Sequence, residues 1–198
     1  MCEGKPPETL VDWDGSRVRA GGGAGHAMEL LGATRRTVPA SETFTLMQLG
    51  GVDAVSFPFS YAQKAYKIDE LSDWFTGNLQ PGTSECPMVF NKTAFEALPS
   101  QYQDLLMSLK EEATQAMIDK YLEADAKNIP AFEASMEKII YTDAEPERFK
   151  EITGTPIWDK SIAENAHKLD SQRAIDHGIE IQAHDQARYA DGCQVRGV

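Results

Sequence analysis

Long apolar runs are missing from this sequence. No stretch approaches the roughly 18–20 apolar residues that a membrane-spanning helix needs, so direct membrane insertion is excluded. Cysteine is scarce, and Cys2, Cys86 and Cys193 lie far apart without metal-ligand spacing, so none is given a role. Positive charge is also short. Lys and Arg number 19 against 31 Asp and Glu, a net charge of −12, and no cationic stripe is available to replace the counterions of a phosphate backbone. A nucleic-acid partner is therefore not expected. The acid excess is spread along the chain, which is the pattern of a solvated surface.

Signatures of catalysis are absent too. His26, His167, His177 and His184 show no H-x-x-x-H pairing, no G-x-S-x-G elbow occurs, and no cysteine neighbours a histidine in a recognisable motif. Glu42 and Asp53 are the carboxylates nearest to an acid/base pair, but helix capping and the helix dipole account for such positions. No catalytic residue, metal ligand or cofactor is expected. Residues 1–7 lack the apolar stretch of a secretory signal, so the sequence read by itself suggests either a cytosolic protein or a chain incomplete at its beginning.

What is present is material for a core. With 198 residues, 41% of them hydrophobic, the chain can bury one large domain or two small ones. Residues 15–58 alternate short β-like runs with helical runs, the pattern of a parallel sheet with crossover helices. Ser16-Arg-Val-Arg-Ala20 reads as a strand. Residues 21–25, four glycines and an alanine, let the chain turn into a short helix over residues 26–31, closed by Gly32. A second strand is predicted over 36–39, then a helix over 41–49 with Ser41 as its cap and Gly50-Gly51 as its stop, then a third strand over 52–57. Tyr61, Tyr66, Leu71, Trp74 and Phe75 are scattered through an irregular stretch that leads to a crossing point at 80–86. A β-like run follows at 87–91. The longest helix is predicted from a capping box, Ser100 to Gln103, to about Asn128, where Pro130 interrupts it, a span of roughly 40 Å. The remainder leans to helix, with turns at 141–146 and 154–156 and a last twenty residues of little periodicity, expected to be poorly ordered or to lie across the surface.

Two features could hold a ligand. The glycine-rich turn after the first strand invites a dinucleotide-binding reading, but the third glycine of G-x-G-x-x-G and any P-loop lysine are missing. A nucleotide-binding, Rossmann-like enzyme domain remains the alternative that this turn leaves open. Arg17 and Arg19 occupy alternate positions of one strand, so they point to the same face and end beside the turn. A guanidinium pairs with a carboxylate through two parallel hydrogen bonds, and the carboxyl end of a strand is where open α/β sheets bind ligands.

Set end to end, Asp12-Trp-Asp-Gly-Ser-Arg-Val-Arg19, Leu31-Gly-Ala33, Val38-Pro-Ala-Ser-Glu42, Gly50-Gly-Val-Asp-Ala54 and Phe90-Asn-Lys-Thr-Ala-Phe-Glu-Ala-Leu-Pro99 resemble the successive blocks of TRAP-transporter solute-binding proteins of the DctP type. The resemblance implies an α/β fold of the periplasmic-binding-protein type II, with a parallel-rich sheet, long C-terminal helices and an incomplete second lobe. It divides the chain into a ligand-binding lobe over 10–86, a returning strand and long helix of the other lobe over 87–130, and a C-terminal helical segment over 131–198. It implies a periplasmic receptor that hands a small organic anion to a TRAP membrane permease. Arg19 stands where the family's carboxylate-binding arginine stands. Phe57 occupies a place where sialic-acid-binding members carry an amide, which implies a ligand with an apolar or aromatic part, and Trp74 is a further candidate for that contact. Because the family's first lobe and secretory signal precede the segment that starts here, a truncated form is expected, one whose exposed apolar surface could leave a non-binding remnant.

Overall fold

The computed structural model describes residues 4–59, 61–79, 88–142 and 144–166. The chain divides into two compact units, residues 1–147 and residues 148–198. The first unit is built around a three-stranded sheet of order β2-β1-β3, with β1 (Arg17–Arg19) between β2 (Thr34–Arg36) and β3 (Ala54–Val55). Both pairings are parallel, with Val18 opposite Arg35 and Ala54, and Arg19 opposite Arg36 and Val55. The predicted parallel sheet with crossover helices is present, in shorter strands.

Parallel neighbours need a crossover, and each is a helix. After β1, α1 (Gly22–Leu30) packs back on β1 and β2 and buries Ala27 and Met28. It begins four residues earlier than the sequence suggests, because Gly21 serves as its cap and the glycines enter the helix. Gly25 permits close packing there: a β-carbon at this position would lie 2.5 Å from Arg35 Nε and 2.9 Å from the Ala20 carbonyl oxygen. Gly32 ends α1 as predicted, at φ +86°, with its N–H donating to Glu29 O and the next N–H, of Ala33, to Met28 O. Before β3, a 3₁₀ turn over Ala40–Glu42 leads into α2 (Thr43–Gln48), so Ser41 lies inside that turn and does not cap the helix.

The core of this unit gathers Met47, Val52, Val55, Ile68, Phe75, Phe132 and Met136. Phe59, Phe75 and Phe132 form a ring cluster with centroids 5.5–6.2 Å apart, mostly edge to face. After β3, α3 (Ala62–Ala65) precedes a second, two-stranded parallel sheet of β4 (Trp74–Thr76) and β5 (Glu137–Ile139). Asn78 extends this pairing with its side chain, donating to Tyr141 O and accepting from Tyr141 N–H, each at 2.8 Å.

Several expectations are corrected between and beyond these strands. Residues 88–91 form no strand and lead into α4 (Lys92–Glu96), whose cap is Asn91. The long helix is two helices, α5 (Ser100–Ser108) and α6 (Lys110–Ser135), joined at Leu109, and Ser100 is the first helical residue after Pro99. Pro130 lies inside α6. It removes one backbone hydrogen bond, but the turn beyond it delivers Phe132, fully buried, to the ring cluster. Pro156 likewise lies inside α7 (Ala144–Asn165), where a turn was predicted. The crossing point at 80–86, the three cysteines, His167, His177, His184 and the last twenty residues lie outside the described residues. No helix of the described residues is long and apolar enough to cross a membrane.

Candidate functional site

β1 is the central strand, and its alternation buries Val18 between two half-buried arginines. The two arginines are used differently. At the strand's start, Arg17 Nε donates to Asp53 Oδ2 at 2.9 Å, its Nη2 makes a very short contact with Asp53 Oδ1, and its Nη1 donates to Gly50 O at 2.7 Å. The backbone N–H of Arg17 also donates to Asp53 Oδ2. Asp53 is thus consumed by a strand-to-strand clamp, and Arg17 holds its carboxyl below the ordinary carboxylate value.

Two residues along the same face, Arg19 ends β1 without an acidic partner among the described residues. Its Nη2 donates to the Val38 carbonyl at 3.1 Å, while its Nε is buried with no acceptor. Its Cζ lies 4.1 Å from the centroid of the Phe57 ring, a cation–π distance. Phe57 in turn stacks on Tyr66, centroids 5.5 Å apart and planes 25° from parallel. Burial lowers the affinity of Arg19 for its proton, with the nearby Tyr66 hydroxyl opposing, yet a guanidinium stays charged at any physiological pH. Val38 follows β2 and Phe57 follows β3, so Arg19 spans the carboxyl ends of all three strands.

The same rim supplies further positive potential. The first turn of α1 starts three residues after Arg19, no side chain caps it, and β-carbons at Gly21 or Gly22 would meet nothing within 4 Å. Its first N–H groups and the positive end of its dipole are open to an anion. Arg36, exposed on the edge strand, stands beside Arg19 in register. A carboxylate held here would meet the Arg19 guanidinium, the neighbouring Arg36 and the amino end of α1.

Of the residues singled out from sequence, Arg19 and Phe57 are brought together and Trp74 is not. Trp74 is 4% exposed, meets Trp13 edge to face at 6.1 Å, and helps line a cavity of about 280 Å³ with Pro6, Pro7, Trp13, Ser16 and Asp53. Ser16 and Asp53 precede β1 and β3, so this cavity lies at the opposite end of the strands from Arg19. Glu42 sits exposed at the start of α2, with Asp53 committed to Arg17. His26 lies 2.8 Å from Glu29, one turn along α1. Among the described residues no group of three or more His, Cys, Asp or Glu is placed to hold a metal ion. Tyr66 and the Val38 carbonyl were not anticipated. The first had no periodic signal, and a backbone carbonyl has none to give.

The family model of the bacterial extracellular solute-binding proteins, family 7 (DctP), matches residues 2–165. The chain belongs to this family. A monocarboxylate 2-oxoacid-binding periplasmic protein from Nostoc sp. is 24% identical over 119 residues, 59% of this family-7 chain and 32% of the relative. The 2,3-diketo-L-gulonate-binding periplasmic protein YiaO of Escherichia coli is 24% identical over 173 residues, 86% of this chain and 52% of the relative. A TRAP periplasmic solute binding protein from Bordetella bronchiseptica, solved with bound (R)- and (S)-mandelate, superimposes with a TM-score of 0.69 at 25% identity, covering 88% of this chain and 56% of that one. The family-7 chain therefore spans about a third to a little over half of the length of these relatives, and its α/β, parallel-sheet architecture is that of part of a TRAP periplasmic binding protein.

Proposed function

We propose that this chain forms the anion-holding part of a periplasmic receptor that binds a small carboxylate and delivers it to a TRAP membrane permease, without transforming it. The observation that carries this reading is Arg19: a half-buried guanidinium at the carboxyl end of the central strand, its Nε without an acceptor and, among the described residues, with no acidic partner. Burying part of a cation with a donor unpaired is costly, and a ligand carboxylate would supply a charged acceptor. The open N-terminus of α1 lies beside it to share the negative charge.

The named ligands of the relatives narrow the class. A 2-oxoacid, 2,3-diketo-gulonate and mandelate are all carboxylic acids with an oxygen on the carbon next to the carboxylate. We assign this chain a 2-oxo or 2-hydroxy acid, its carboxylate on Arg19 and its neighbouring oxygen toward the amides of Gly22 and Gly23. Residues 10–86 serve as the ligand lobe, 87–130 as the returning part of the other lobe and 131–198 as a C-terminal helical segment. The pairing of β4 with β5 ties the start of that last segment back to the ligand lobe.

Titration calorimetry with 2-oxo acids, 2-hydroxy acids, benzoate and an uncharged amide analogue tests the reading. Acids with the adjacent oxygen are expected to bind best and the amide not at all. Arg19→Ala should weaken the best ligand by about 2–5 kcal/mol, as when a buried charge pair loses one member. Unchanged binding by Arg19→Ala would remove the anchor from this position.

A further inference from the structure

We propose that Phe57 is a positioning residue that acts through Arg19 and does not contact the ligand. The inference rests on the carboxylate reading above and makes it more specific: aromatic character in the ligand is not what this ring selects. The Phe57 ring is already engaged by its own chain, with the Arg19 Cζ 4.1 Å from its centroid and Tyr66 stacked at 5.5 Å. Its backbone is fixed as well, because the carbonyl of Phe57 accepts from the side chain of Gln63, a residue only 1% exposed, at 3.1 Å. The ring also packs against the core cluster that includes Val55 and Ile68. The Phe57 ring and carbonyl thus have their partners within the chain.

An arginine side chain has several rotatable bonds, and a guanidinium free to wander pays ordering entropy each time it takes a carboxylate. Here the Val38 carbonyl takes one N–H of Arg19 and the Phe57 ring takes its π-face. Together they leave the outward donors presented before any ligand arrives. The negative face of the ring also replaces part of the hydration that burial removes from the cation. Every carboxylate that uses Arg19 benefits equally, whatever its other end.

The test uses Phe57→Leu, Phe57→Tyr and replacement of Phe57 by a fluorinated phenylalanine, which keeps the ring's shape and weakens its negative face. Each is titrated with mandelate and with an aliphatic 2-hydroxy acid. Phe57→Leu and the fluorinated ring are expected to weaken both acids alike, by about tenfold for Leu, or 1.4 kcal/mol, within the range of a desolvated cation–π pair, with Tyr close to wild type. In the ligand-free protein, the NMR signal of the Arg19 Nε–Hε group should lose its ring-current shift in Phe57→Leu and keep it in Phe57→Tyr. The fluorinated variant decides the matter if Phe57→Leu does not fold. A loss confined to mandelate would place the ring on the ligand and overturn the proposal, as would unchanged affinity for both acids. If Arg19→Ala abolishes binding while the Phe57 variants do nothing, only this inference falls; if Arg19→Ala binds as wild type, the anchor falls and this with it.

Discussion

Arg17 and Asp53 bridge the starts of two neighbouring strands through a forked side-chain pair and a backbone hydrogen bond onto the same carboxylate. This clamp distinguishes the two arginines of β1: among the described residues Arg17 has an acidic partner and Arg19 has none. It is half open to water, with side-chain exposures of 39% and 43%, so solvent screens much of its Coulomb energy.

Asp53→Asn should therefore lower stability at neutral pH by only about 1 kcal/mol, mostly through a weakened hydrogen bond to the Arg17 amide. The pH dependence has a definite sign. Arg17 holds the folded carboxyl below its ordinary value of 3.8. The stabilisation is thus fully present above about pH 5 and is lost as pH falls through the depressed folded value. Urea denaturation of wild type and variant between pH 7 and pH 3 should show a constant difference that narrows below about pH 4.

Arg19→Lys keeps the charge but not the fork. One ammonium cannot donate in parallel to both carboxylate oxygens and to Val38 O, so affinity should fall between those of wild type and Arg19→Ala, about 10- to 100-fold below wild type. Calorimetry with the best-bound acid measures this. Equal affinity for Lys and Arg would mean that a point charge suffices.

Gly32→Ala should be among the most disruptive single changes in the ligand lobe. The residue has φ +86°, and its new β-carbon would lie 2.2 Å from Asp14 Oδ1 and 3.2 Å from Asp14 Cα. Left-handed strain and the clash together should cost about 2–4 kcal/mol, read as a drop in thermal midpoint. Gly15→Ala, also at positive φ but with nothing within 4 Å, should cost less.

Asn78→Asp probes the second sheet. The side-chain amide gives and receives one hydrogen bond with the backbone of Tyr141, and a carboxylate can only receive. Setting a negative oxygen against the Tyr141 carbonyl should destabilise by about 1–3 kcal/mol at pH 7, with partial recovery in acid as the group protonates and can donate again. Thermal melts at pH 7 and pH 4 compare the two states.

Local chemistry made part of this fold legible. The β-α-β-α-β order, the parallel sheet and the glycine that closes α1 follow from strand-like runs, turn residues and a position that needs φ above zero. The place of Arg19 at the carboxyl end of a strand was legible as well. The rest depends on contacts far apart in sequence. Asp53 gives no sign of its partner 36 residues away. β4 and β5 are three residues each, and Trp74-Phe75 is buried on both sides, so neither strand shows alternation. Pro130 and Pro156 look like helix stops in sequence, yet at Pro130 the helix continues because Phe132 beyond it completes a cluster with Phe59 and Phe75.

Among the described residues, the order β2-β1-β3 leaves two strands with an unpaired side, where a stray polypeptide could add itself by backbone pairing. β3 offers only two residues, too few to template such growth. β2 reads Thr-Arg-Arg, and a second copy laid along it would crowd guanidinium groups together. Arg36, in register beside Arg19, would set like charge against any such self-addition.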